Sequence, residues 1–164
     1  MSNEPSPQLT EAIENAEGFR SQAYWDPIGQ VWTVGFGQTG PWVTADTVVT
    51  RQQAVEWLQS AESTLISELN NALPWASGLS APRFGALVDA AYNLGLNGLL
   101  QFNEALSALQ AQNWVGAAQG FQQSLWYSQV PDRVNTINYM IVFDVWVENY
   151  LTPEQTSQLQ QALS

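Results

Sequence analysis

Residues 17–40 read EGFRSQAYWDPIGQVWTVGFGQTG, and the parsing of this stretch decides what the chain on either side of it does. Two aromatic and β-branched runs, SQAYW and VWTVGFG, flank DPIGQ, whose Asp, Pro and Gly favour a turn. A hairpin over residues 21–37 is expected. Upstream, Ser6 and Pro7 read as an N-cap and a first helical position, Leu9, Ile13 and Ala16 recur at helical spacing, and Gly18 is a natural stop. A helix over 7–17 then delivers Glu17 at its very end, in front of the hairpin. Downstream, PWVTAD at 41–46 suggests a short third strand.

From Thr50, a plausible N-cap, the apolar period changes. Ala54, Trp57, Leu58, Ala61, Leu65, Leu69 and Leu73 follow a helical stripe, predicting one long helix over 51–72 that stops before Pro74. Phe84, Leu87, Val88, Ala91 and Tyr92 form a second stripe closed by Gly95. Further helices are expected near 99–110, 114–126, 132–150 and 153–163, the last capped by Thr152 and Pro153. The expected fold is α+β and mostly helical, a single domain over 1–164. A small hairpin lobe, about 12–60, is joined by the connecting helix 51–72 to a larger helical lobe, 73–164 plus 1–11, with a cleft between.

Composition narrows the chemistry. The 164 residues include neither Cys nor His, so thiolate sites, imidazole bases and the commonest metal ligands are excluded, and no metal or cofactor is expected. Acid–base work falls to Asp, Glu or Tyr. The cations are Arg20, Arg51, Arg83 and Arg133 alone, against 15 acidic residues, for a net charge of −11. Such a surface repels nucleic acid, anionic membranes and anionic wall polymers at long range. The polar N-terminus MSNEPSPQL lacks the basic start and apolar core of a signal peptide, and no segment reaches the roughly 20 apolar residues of a membrane helix. A soluble protein made in a cytoplasm is expected.

Taken singly, the charged and hydroxyl residues of the opening stretch have ordinary structural explanations. Glu17 is a solvated carboxylate at the helix end that is unfavourable for an anion, Asp26 before Pro27 is a turn residue, and Thr33 is a good β-former. Taken together they are the equipment of a glycosidase: one carboxyl group protonates the leaving oxygen, the other activates water or stabilises developing positive charge, and a hydroxyl holds the water.

The stretch ENAEGFRSQAYWDPIGQVWTVGFGQTG, residues 14–40, resembles the catalytic segment of phage lysozymes, the muramidases of glycoside hydrolase family 24. That segment runs Glu-Gly, an Arg, an aromatic, Asp, then a turn into Trp-Thr, Ile or Val, and Gly-aromatic-Gly. A second match, SLWYSQVPDRVNTINYMIVFDVW at 124–146, looks like the T-even type, and FGALVDAAYNLG and LLQFNEALSALQAQNWVGAAQGF fit the helices between. The resemblance covers about residues 7–150, with the helix at 153–163 beyond the T-even pattern. It implies hydrolysis of the β-1,4 bond between N-acetylmuramic acid and N-acetylglucosamine in a peptidoglycan strand, with inversion. It implies Glu17 as general acid, Asp26 as second carboxylate, Thr33 as the hydroxyl that places water, and Arg133 as the partner of Glu17. Thr39, Tyr92 and Asn93 fall at positions that face the saccharide, with Trp126 and Gln129 beside the same cleft. For Trp126, Trp114 and Tyr92 a place in the helical core is at least as good a reading. Asn93 follows an aromatic on what reads as a buried face, where an amide needs partners.

Three departures stand out. Six residues separate Asp26 from Thr33 where the family pattern has five, Gln38 replaces a histidine that supports structure, and the chain is acidic where many relatives are basic. Two functions follow. One is a muramidase, expected as a monomer in the host cytoplasm until lysis. The other is a structural or wall-binding component of a phage particle, with the same fold and little or no activity.

Overall fold

The computed structural model describes residues 5–164; the first four residues, part of the segment 1–11 assigned above to the helical lobe and of the N-terminus read for a signal, lie outside them. Helix α1 spans Pro7–Glu17, with the Ser6 hydroxyl accepting from the Leu9 N–H as N-cap. Strands β1, Arg20–Asp26, and β2, Val31–Gly35, pair antiparallel. Helix α2 spans Arg51–Ala72 and is capped by Thr50, whose hydroxyl accepts from the Gln53 N–H. A 3₁₀ turn, Pro74–Gly78, leads to α3, Ala81–Leu94. Short helices follow: α4 (Leu96–Leu100), α5 (Asn103–Gln110), α6 (Trp114–Gln122) and α7 (Leu125–Gln129). Helices α8, Pro131–Phe143, and α9, Pro153–Leu163, complete the chain. The mostly helical α+β expectation holds.

The core lies where α3 meets α8 and α6. Phe84 through Ala91 of α3 are all buried, and α8 buries Val134, Ile137, Met140 and Ile141. A helix at the centre of a helical layer is buried nearly all round, and polar side chains there, such as Asp89 of α3 and Arg133 of α8, are paired. Helix α9 seals one side through Leu159 and Leu163 and through Tyr139 Oη, which donates to Gln158 Oε1 at 2.9 Å. No helix of the described residues is long and apolar enough to cross a membrane.

Four expectations are corrected. No third strand forms at 41–46: Val43 N–H donates back to Gly40 O and Thr47 N–H to Thr44 O, giving turns. Residues just beyond pair instead, Val49 N–H with Ser21 O at 2.8 Å and Ala23 N–H with Thr47 O at 2.9 Å. The helix expected over 132–150 ends at Phe143, because Asp144 adopts the left-handed conformation (φ 56°) and is held there by the Ser80 hydroxyl and Arg83. The helix expected over 114–126 is two, since Ser124 starts a new N-cap by accepting from the Tyr127 N–H. The one near 99–110 begins instead at Asn103, after a break at Phe102.

Candidate active site

The end of α1 places Glu17, as its Gly18 stop requires. The carboxylate accepts from Arg133 Nη1 at 2.5 Å, and Arg133 reaches it from the first turn of α8. Arg133 is itself 6% exposed, and its Nε and Nη2 donate to Asp89 Oδ1 of α3 at 2.9 and 2.7 Å. One guanidinium thus ties α1, α3 and α8 together, using its rigid fork to satisfy two carboxylates at once. Burial works against the charge on Arg133, but Asp89 and Glu17 outweigh it, so the group is held above its ordinary range and stays protonated.

The hairpin supplies the second half. Tyr24 pairs with Thr33 and Asp26 with Val31, so Tyr24, Asp26, Val31 and Thr33 share one face while Trp25 and Trp32 stack edge to face on the other. Residues 27–30 close the hairpin as a four-residue turn, and Gln30 takes a positive φ of 52°. The six residues between Asp26 and Thr33 are accommodated as this turn plus Val31 and Trp32. Asp26 Oδ1 accepts from the Ile28 N–H at 2.9 Å, so the turn role is real, and its Oδ2 fills the space a Cβ on Gly29 would need. Thr33 is 3% exposed, and among the described residues its hydroxyl makes one long hydrogen bond, donating to Val31 O at 3.4 Å. That leaves most of its hydrogen-bonding capacity free.

Tyr24 belongs to this face and was not anticipated. Its phenol is raised, by burial first and then by Glu17 and Asp26, with Arg20 opposing from 4.5 Å above the ring. Asp89 was not anticipated either. A signal exists: it is the sole carboxylate between Glu68 and Glu104, inside the apolar run FGALVDAAY.

Beyond Glu17 the chain turns back through Gly35 and Gly37, both at positive φ. A Cβ on Gly37 would lie 2.5 Å from Glu17 Oε2, so only glycine lets the backbone pass the carboxylate. Gln38 leaves no hole where a histidine is expected. Its Oε1 accepts from the Phe36 N–H at 2.5 Å, and its Nε2 donates to Tyr92 Oη at 3.2 Å and, at the long limit, to Ala54 O at 3.5 Å. Tyr92 in turn donates to Phe36 O at 2.5 Å, and its phenol is pushed up by burial and then by Glu17.

The remaining candidates separate. Thr39 is exposed, and Tyr92 is partly buried; both line a groove of about 740 Å³ along α2. Trp126 is a core residue, 4% exposed, packed against Phe102 and Phe121. Its Nε1 donates to Asn93 Oδ1 at 2.7 Å. Asn93 is exposed, which corrects its placement on a buried face. Its neighbour Tyr92 turns inward while Asn93, the next residue on the helix, turns out. Gln129 is exposed at the end of α7 and forms no side-chain hydrogen bond among the described residues.

The family model described as Phage lysozyme matches residues 14–159, reaching into α9. The chain is 25% identical to the pre-baseplate central spike protein Gp5 of Enterobacteria phage T4, over 89% of this chain and 29% of that protein. It is 33% identical to the endolysin of Bacillus phage PZA, over 60% of this chain and 40% of that one. It is 30% identical to the peptidoglycan hydrolase gp36 of Pseudomonas phage phiKMV, over 71% of this chain and 13% of that one. The chain thus spans less than half the length of each of these relatives.

Proposed function

We propose that this chain, which belongs to the phage lysozyme family, hydrolyses the glycan strand of bacterial peptidoglycan. The bond is the β-1,4 linkage between N-acetylmuramic acid and N-acetylglucosamine. Glu17 protonates the glycosidic oxygen. Asp26 and Thr33 support a water that attacks the opposite face of the sugar, giving inversion. Arg133 is a positioning residue that holds the Glu17 carboxylate. The division into a hairpin lobe, the connecting helix and a helical lobe belongs to the same reading, with the strand bound between them.

One observation carries it: Glu17 is clamped from α8 while Asp26 and Thr33 sit on a common face of the hairpin that α1 leads into. A clamp of that kind immobilises a reacting group before substrate arrives, which is what positioning requires. The test is chemical. Purified peptidoglycan is digested and the new ends are reduced with borohydride. Reduced muramic acid is the expected product; reduced glucosamine moves the cut to the other linkage, and no new reducing ends refutes the hydrolase reading.

A second reading has its own support. The spike protein Gp5 of phage T4 matches 89% of this chain, and a net charge of −11 denies a free enzyme attraction to an anionic wall. A domain carried on a particle has no need of that attraction, because tethering supplies the local concentration. Sedimentation of the protein with purified virions separates this from a free endolysin waiting in the host cytoplasm.

A further inference from the structure

We infer that Trp42, braced by Trp57, is a sugar-binding platform that stacks on a pyranose ring of the glycan strand outside the cleavage point. This inference rests on the hydrolase reading above. The groove of about 740 Å³ is of ligand size and begins at the catalytic carboxylate, since Gly37 both lines it and abuts Glu17. Trp42 is 48% exposed yet held on two sides. Its ring meets Trp57 edge to face, with centroids 4.8 Å apart and planes at 61°. On the other side it occupies the space above Gly40, where a Cβ would lie 2.6 Å from its Nε1. An indole fixed before binding loses little freedom when a ligand covers it.

The wall opposite is shaped by the period of α2. Trp57, Ser60, Ala61, Thr64 and Leu65 fall on one side of the helix, so the groove floor is small and hydroxylated next to the aromatic pair. Every residue lining the groove is uncharged, in a chain with 15 acidic residues. That decides the occupant. The peptide stems of the wall carry carboxylates and amines that would need charged partners when desolvated. A sugar ring needs an apolar face for its C–H bonds and scattered hydroxyls for its O–H groups, and the groove supplies both.

The test uses a hexamer of N-acetylglucosamine titrated into the full chain carrying Glu17→Gln, followed by tryptophan fluorescence and calorimetry. Trp42→Ala is expected to weaken binding about tenfold, the scale of one ring's apolar contact, and Trp42→Phe to restore most of it. Ser60→Phe, on an exposed helix position, blocks the floor and is expected to weaken binding as much without touching Trp42. Hexamer affinity unchanged by Trp42→Ala and Ser60→Phe overturns the platform while leaving the hydrolase reading, scored by reducing ends, intact. Trp42-dependent binding of a sugar-free stem tetrapeptide overturns the sugar assignment. A folded protein that binds no hexamer overturns it as well.

Discussion

Arg133 Nη1 lies 2.5 Å from Glu17 Oε1, an ion pair that spans 116 residues of chain and joins the first helix to the eighth. The same guanidinium takes Asp89 at 2.7 Å, so three helices meet at one buried charge.

Removing Asp89 leaves that charge half unpaired in the core. Asp89→Ala is expected to cost about 3–5 kcal/mol of unfolding free energy, the range for breaking a buried ion pair from one side. It also frees Arg133 to swing away from Glu17, so lytic activity falls even at temperatures where the variant is folded. Urea unfolding and turbidity assays on one preparation check both parts. An isoenergetic Asp89→Ala refutes the role assigned to the triad.

Gly37 lets the backbone that lines the groove pass the Glu17 carboxylate. Gly37→Ala brings a methyl group to 2.5 Å from Glu17 Oε2 and forces an alanine to a φ of 80°. We expect at least a tenfold fall in kcat with the protein still folded at 25 °C, because a displacement of about 1 Å at a reacting group has effects of up to 10²-fold. Steady-state kinetics with a melting curve alongside decide it.

Glu62 makes stability depend on pH. It is fully buried on α2; its Oε2 accepts from the Thr10 hydroxyl at 2.8 Å, and its Oε1 has no hydrogen-bond partner among the described residues. Burial first, then the Glu14 and Asp89 charges, push it up to about 7, against the lowering effect of Thr10. The folded state therefore holds its proton more tightly than the unfolded state. The contribution is fully present below about 4.5 and is lost as pH rises to about 7. The full span is about 3 kcal/mol. Glu62→Gln is expected to remove this slope and to raise stability at pH 8, measured by urea unfolding across pH. An unchanged slope contradicts the assignment.

The hairpin turn offers a smaller gain. Gln30 sits at a φ of 52°, a region costly for a residue with a side chain. Gln30→Gly is expected to raise stability by about 1 kcal/mol, read as a higher urea midpoint with an unchanged slope.

Local signals made much of this fold legible. Ser6, Gly18 and Thr50 announce α1 and α2, and the turn in DPIGQ announces the hairpin, because caps and turns are written in adjacent residues. Glu17 and Arg133 were legible through motif order, and the structure brings them together. What escaped depends on distant partners. Asp144 ends α8 early because Ser80 and Arg83 hold it, 64 and 61 residues away in sequence. Asp89 and Glu62 lie in apolar stripes where only tertiary packing shows what a carboxylate does there. Trp57, Ala61 and Leu65 share the helical stripe of α2, yet they form the groove shoulder beside the buried Ala54, Leu58 and Ile66. A helical period finds the apolar side of a helix without separating core from cleft.

The proposed role of Glu17 as the acid that cuts the wall has a direct check. Clearing of outer-membrane-stripped Gram-negative cells is measured for the wild type beside Glu17→Gln, at low salt and at high salt. Clearing by the wild type is expected, faster at high salt as the repulsion from 15 acidic residues is screened, and none by Glu17→Gln at either salt. Equal clearing by the two proteins, or none by a folded wild type at any salt, contradicts it.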